Sequence, residues 1–237
     1  MYLDLNYILC MLPGILLMLI TSWYVKSAYA RWLRVPSRSG ITGYEAARRL
    51  IGRGGLSHIQ IQGVAGHLTD NYDPRRKVLN LSQGVAESPS VAALAVAAHE
   101  LGHAQQDAEG YFPLKFRSAL VPLVNIGSNL GWIMIMLGLF LSYAGLAFGV
   151  DIAWLGVAAF AGGAVFALAT LPVELNASRR ARQLLTDSGM LVTEEEQRGV
   201  RTVLNAAALT YVAGLVTAVM QLLYYASLVL GMGRRRS

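Results

Sequence analysis

A single cysteine, Cys10, among 237 residues excludes an intramolecular disulfide and a thiolate metal cage. It lies inside a long apolar run, where a small packing or lipid-facing residue is expected. Charge is scarce as well: 14% of residues are Asp, Glu, Lys or Arg, 54% are hydrophobic, and the mean hydropathy is +0.44. A soluble domain ordinarily carries about 25% charged residues, so part of this chain belongs in a bilayer. Four runs have no charge at all, residues 5–24, 119–146, 152–173 and 206–232. Each is close to or above the roughly 20 apolar residues that a helix needs to cross the hydrocarbon layer. The first run lacks a basic leader and a small-residue cleavage site, so it reads as a retained span. The lack of charge within the spans also argues against a transporter.

The charge that remains is uneven. A net +6 and a pI near 9.6 could suggest a nucleic-acid partner. The basic residues, however, cluster just beyond the apolar runs, where the bilayer explains them, and no nucleic-acid motif is present. Lys26, Arg31, Arg34 and Arg38 follow the first run, whereas only Asp4 precedes it. Asp151 is the one charge between the second and third runs, and Arg179, Arg180, Arg182, Arg198 and Arg201 lie between the third and fourth. The expectation is an outside amino terminus in a multi-pass protein of the cell (inner) membrane, with its polar segments cytoplasmic. Arg234, Arg235 and Arg236 oppose that orientation.

The expected organisation is a first transmembrane helix (1–25), a water-soluble part (26–118), a transmembrane hairpin (119–173), a short helix and linker (174–205), and a last transmembrane helix with a basic tail (206–237). Thr42 and Glu45 form a capping box opening a helix whose apolar face is Ala46, Ala47, Leu50 and Ile51. Residues 59–62 and 77–82 alternate as strands do. Asp70 and Asp73 shape the turn around Pro74 between them, which predicts a small antiparallel sheet. Ser88 followed by Pro89 predicts the start of a helix, enclosed on all sides from Val91 to Ala98 and ending near Gly110. Pro172 predicts a kink or restart, so that Glu174 heads a helix at the membrane boundary. Thr193 and Glu196 form a second capping box, opening the helix that becomes the last span.

Histidine is scarce too, with four in the chain, yet two of them frame His99-Glu-Leu-Gly-His103. Accident is a poor explanation for an H-E-x-x-H pattern in such a composition. On a helix, residues four apart share a face, so His99 and His103 can close on one cation while Glu100 projects beside them. A catalytic zinc takes three protein ligands, and no histidine follows His103. Glu174 is the expected third ligand, with small neighbours Ala177 and Ser178 that permit close helix packing. Glu109 is too near in sequence to swing back, and Glu194 to Glu196 are explained by a helix start. Glu100 is then the proton acceptor for the attacking water, and the reaction is peptide hydrolysis. His67, Tyr72 and Arg179 are candidate donors to the substrate or its oxyanion. Arg179 and Arg180 also read as lipid-headgroup anchors, and the strand over 78–81 reads as a partner for an extended substrate.

Several segments carry a family resemblance: 39–43 (Ser-Gly-Ile-Thr-Gly), 66–74 (Gly-His-Leu-Thr-Asp-Asn-Tyr-Asp-Pro), the metal helix through Asp107, 171–180 and 204–212. Together they resemble the bacterial YugP-like neutral zinc metallopeptidases over nearly the whole chain. The resemblance implies a mainly α multi-pass membrane protein with a zincin-like (gluzincin) core, Zn2+ as cofactor, and protein or peptide substrates. More distantly the chain is similar to HtpX-type membrane proteases, in which the third ligand opens an E-x-x-A-D motif. Glu174 to Ser178 matches it except that Ser178 replaces the aspartate, the outer partner of a ligating histidine. Asn176 and Asp107 are candidate substitutes. That departure keeps a second expectation in view, a scaffold or assembly factor that binds metal without turnover.

Overall fold

The computed structural model describes the backbone of residues 5–234 and the side chains of residues 7–231. The orientation argument from Asp4, Arg234, Arg235 and Arg236 therefore lies outside the described side chains. The elements in order are α1 (Leu5–Leu33), α2 (Gly43–Arg53), β1 (Gln60–Val64), β2 (Asn71–Asp73), β3 (Val78–Ser82), α3 (Gln83–Ala86), α4 (Val91–Ala108), α5 (Phe112–Tyr143), α6 (Gly149–Asp187) and α7 (Glu194–Arg234). Among the described residues, α1, α5, α6 and α7 are the helices long and apolar enough to cross a membrane. The protein is thus mainly helical, with one small sheet.

Contacts divide the chain into two units. One comprises the chain up to Ile20, Lys115–Leu171 and the chain from Tyr211 onward; the other comprises Thr21–Leu114 and Pro172–Thr210. In the first, helices approach through small residues. A Cβ on Gly131 would collide with the backbone of Gly156 and Phe160, and one on Gly138 with Gly149 and Ala153. Ile135, Ala153, Val157, Tyr225 and Val229 fill its interior. Close backbone approach of this kind is how helices associate in lipid, where apolar burial alone gives no preference.

The second unit has its own core, centred on α4. Val91 to Ala95, Ala97, Ala98, Leu101 and Ala104 are all fully buried. Around them pack Ala46, Ala47 and Leu50 of α2, Leu79 and Leu81 of β3, and Ala181 and Leu185 of α6. Burying a side chain the size of Leu94 or Leu101 stabilises the fold by about 1.5–3 kcal/mol. Both capping boxes form. Thr42 Oγ1 accepts from Glu45 N at 3.2 Å while Glu45 accepts from Thr42 N, and Glu196 accepts from Thr193 N at 2.8 Å.

Four details differ from the sequence-based expectations. The cap of α4 is Ser90, whose Oγ accepts from Ala93 N at 3.2 Å, and not Ser88. Pro89 is held in an extended segment, its carbonyl accepting from Ser37 N at 2.8 Å beside a Pro36–Ser90 bridge, so the helix starts two residues later. The sheet is mixed, in the order β1-β3-β2: β1 pairs parallel with β3, and β2 pairs antiparallel. Two chain reversals separate β1 from β3, which leaves them pointing the same way. Alternation of apolar and polar residues is the same for either direction and could not distinguish them. Since β3 is central, both its edges are filled and it cannot accept a substrate strand. Finally, α6 runs unbroken through Pro172, so Glu174 lies within a long helix and does not head one. A proline there removes one hydrogen bond, a loss that long apolar helices tolerate.

Candidate metal centre

α4 presents His99 and His103 on one face, their rings edge to face with centroids 4.9 Å apart. α6 crosses it where Gly102, between the two histidines, meets Ala177: a Cβ on Gly102 would lie 2.5 Å from the Ala177 carbonyl oxygen. A helix-interior glycine is about 1 kcal/mol less favourable than alanine. Here it lets the backbones meet, and that contact brings Glu174, one turn before Ala177, over the two imidazoles. Glu174 is only 2% exposed, a burial that an unpaired carboxylate would make costly. Its Oε2 lies 3.4 Å from the Nε2 of His99 and 3.4 Å from the Nε2 of His103. Ligand atoms about 2.0–2.1 Å from a tetrahedral zinc are separated from each other by roughly 3.3–3.4 Å. The two oxygen–nitrogen separations are therefore those of a zinc site, and all three ligand atoms lie within 4.8 Å of one another. Among the described residues these three are the group able to hold a metal ion.

The outward nitrogens of both rings are engaged. Ser178 Oγ is 3.3 Å from His99 Nδ1, so the hydroxyl stands where the aspartate was expected. Gln106 Oε1 is 3.0 Å from His103 Nδ1. Gln106 is fully buried and its amide nitrogen donates to the Val173 carbonyl at 2.8 Å and to Asn176 Oδ1 at 2.9 Å. Of the candidate substitutes for the aspartate, Asn176 reaches the site through Gln106. Asp107 accepts from Tyr72 Oη at 2.7 Å and from Lys77 Nζ at 2.5 Å.

Glu100 sits beside the cluster, and its Oε2 accepts from the backbone N–H of Tyr72 in β2 at 3.0 Å. Burial pushes its carboxyl above the ordinary range, with Glu174 and Asp70 adding to the rise and the two imidazoles opposing it. A carboxylate made more basic in this way is a better proton acceptor than a solvated one.

The other sequence candidates do not belong to the group of three able to hold a metal ion. The exposed His67 ring lies 5.3 Å from that of Tyr29. The Tyr72 hydroxyl is committed to Asp107, and burial followed by that bond raises its pKa. Arg179 is exposed and lines a polar cavity of about 570 Å³ with Asn176, Arg180 and Glu109. Arg180 makes a two-pronged pair with Glu109, both contacts at 2.7 Å. Asp73 Oδ1 accepts from Arg75 N at 2.9 Å and shapes its turn, and Asp70 accepts from Ser82 N at 2.7 Å.

Sequence reasoning overlooked Gly102 and Gln106. A glycine inside an alanine-rich helix and a glutamine three residues after a ligand were the available signals.

The family model described as "Putative neutral zinc metallopeptidase" matches residues 7–230. A Bacillus subtilis (strain 168) protein named "Putative membrane protease YugP" is 40% identical over 201 residues, which are 85% of this chain and 86% of that protein. No solved structure matches. With two imidazoles and one carboxylate spaced for zinc and a family match over almost its full length, the chain belongs to the neutral zinc metallopeptidase family.

Proposed function

We propose that this chain is a gluzincin-type endopeptidase of the cell membrane that hydrolyses peptide bonds in protein or peptide substrates, with His99, His103 and Glu174 as zinc ligands and Glu100 as general base. The observation that carries this reading is the convergence of Glu174 Oε2 on both Nε2 atoms at 3.4 Å. A bound zinc ion supplies Lewis acidity and brings the pKa of water near 7. Glu100, aimed by the Tyr72 N–H, accepts the proton of the attacking water and returns it to the leaving amine. Its raised proton affinity suits both halves of that exchange. Ser178 and Gln106 orient the rings. The basic residues that follow the first and third apolar runs support a cytoplasmic location for this chemistry.

The test uses the full chain purified in detergent. Wild type is expected to hold one zinc per chain and to cleave casein or a peptide pool. Glu100→Gln should keep the zinc and lose about 10²–10⁴ in turnover, the contribution of general base catalysis, whereas Glu174→Ala should lose the zinc itself. A wild type that binds no zinc, or Glu100→Gln with full turnover, would refute the assignment.

A further inference from the structure

Arg180 extends the polar contacts behind His103 by two residues. Arginine has only donors, so its Nε, 2.8 Å from the Asn176 side-chain oxygen, fixes which end of that amide faces it. The same oxygen takes the Gln106 NH2 at 2.9 Å, and the Val173 carbonyl, an acceptor only, takes it at 2.8 Å. The Gln106 amide is thereby oriented from two sides, and its oxygen is the end that meets His103 Nδ1 at 3.0 Å. An acceptor there requires the proton on Nδ1, which leaves the Nε2 lone pair facing Glu174. Glu109, at the C-terminal end of α4, grips both terminal nitrogens of Arg180, with the Tyr111 ring 5.9 Å from the guanidinium carbon. The chain of contacts thus runs from His103 to Gln106 along α4, crosses to α6 at Asn176 and Arg180, and returns to the C-cap of α4 at Glu109.

We infer that Arg180 and Asn176 are positioning residues for the metal centre: acting through Gln106, they hold the His103 proton on Nδ1 and keep Nε2 available to ligate. The inference rests on the metal reading above and adds that zinc affinity depends on a half-buried arginine that touches neither metal nor ligand. Removing an outer partner of a ligating histidine typically costs about 10–100-fold in metal affinity. Gln106→Leu is expected to show the full loss. Arg180→Gln should show a smaller one, since the Val173 carbonyl still holds Gln106.

The experiment is zinc affinity of the full chain in detergent, measured by competition with a chelating indicator, for Gln106→Leu, Arg180→Gln, their double variant, and Asn176→Leu against Asn176→Asp. Three results are expected. Each single change except Asn176→Asp weakens zinc. Asn176→Asp, whose carboxylate accepts from both Gln106 and Arg180, stays within about threefold of wild type, well inside the 10–100-fold loss of a missing partner. Arg180→Gln has no further effect once Gln106 is leucine, because the two act on one path. An Arg180→Gln effect that persists undiminished in the Gln106→Leu background, or Asn176→Leu binding zinc like wild type, would overturn the inference. Arg180 lies near the end of α6, so its variant keeps the test decisive if a buried change prevents folding. A wild type that binds no zinc would overturn this inference together with the proposed function, while normal wild-type binding with indifferent variants removes this inference alone.

Discussion

Gly102→Ala adds one methyl group where the backbone of Ala177 already stands, 2.5 Å from its carbonyl oxygen and 3.1 Å from its Cα. Ordinary contact begins at 3.4 Å, so α4 and α6 must part by about 3.4 − 2.5 = 0.9 Å. Glu174 and Ser178 are on the same stretch of α6 and move with it. Zinc ligand distances tolerate only about ±0.2 Å, so a shift of this size takes the carboxylate out of reach of a cation held by the two imidazoles. The effect on folding is smaller. Overpacking costs about 1–3 kcal/mol, and alanine in place of helical glycine returns about 1 kcal/mol. The variant should therefore fold, with a modestly lowered melting temperature, yet bind zinc at least 10-fold more weakly and lose proteolysis with it. Zinc content by mass spectrometry, a thermal melt in chelator and peptide cleavage separate the two effects. Gly52→Ala is the control, since a Cβ there meets nothing within 4 Å. A Gly102→Ala protein with wild-type zinc affinity and turnover would refute the idea that this contact sets the ligand spacing.

Three further outcomes are expected. Tyr72→Phe should change kcat/KM less than about 10-fold, because its hydroxyl is committed to Asp107; a loss of 10²–10³, the effect of deleting an oxyanion donor, would put that hydroxyl on the substrate instead. Ser178→Ala removes the group 3.3 Å from His99 Nδ1 and should weaken zinc by about 10-fold, while Ser178→Asp should match or exceed wild type; chelator competition reads both. Leu101→Ala hollows the core on the face of α4 opposite the two histidines and should lower stability by about 2–5 kcal/mol in denaturant unfolding, more than any surface change.

The local signals in the sequence were strong where geometry is local. Two histidines four apart on a helix must share a face, the capping boxes at Thr42 and Thr193 are four-residue patterns, and the long uncharged runs state their own length. Glu174 was legible by elimination among few acidic residues. What could not be read involves partners distant in sequence. Strand direction in β1 and β3 leaves no trace in alternation, and the helix through Pro172 continues because its surroundings tolerate the missing bond. The start of α4 at Ser90 depends on a bridge to Pro36 that no local pattern announces. Gln106 mattered only once Val173 and Asn176 were beside it, 67 and 70 residues away.

The two imidazoles sit on the helix around which the second unit's interior is built. Chemistry and foldability consequently make demands on the same eighteen residues of α4. Little there can drift without forfeiting both, so for the peptidase proposed above new substrate preferences would have to arise outside α4, in the loops, β2 and α6. An engineer seeking altered specificity should begin with those places and leave α4 alone.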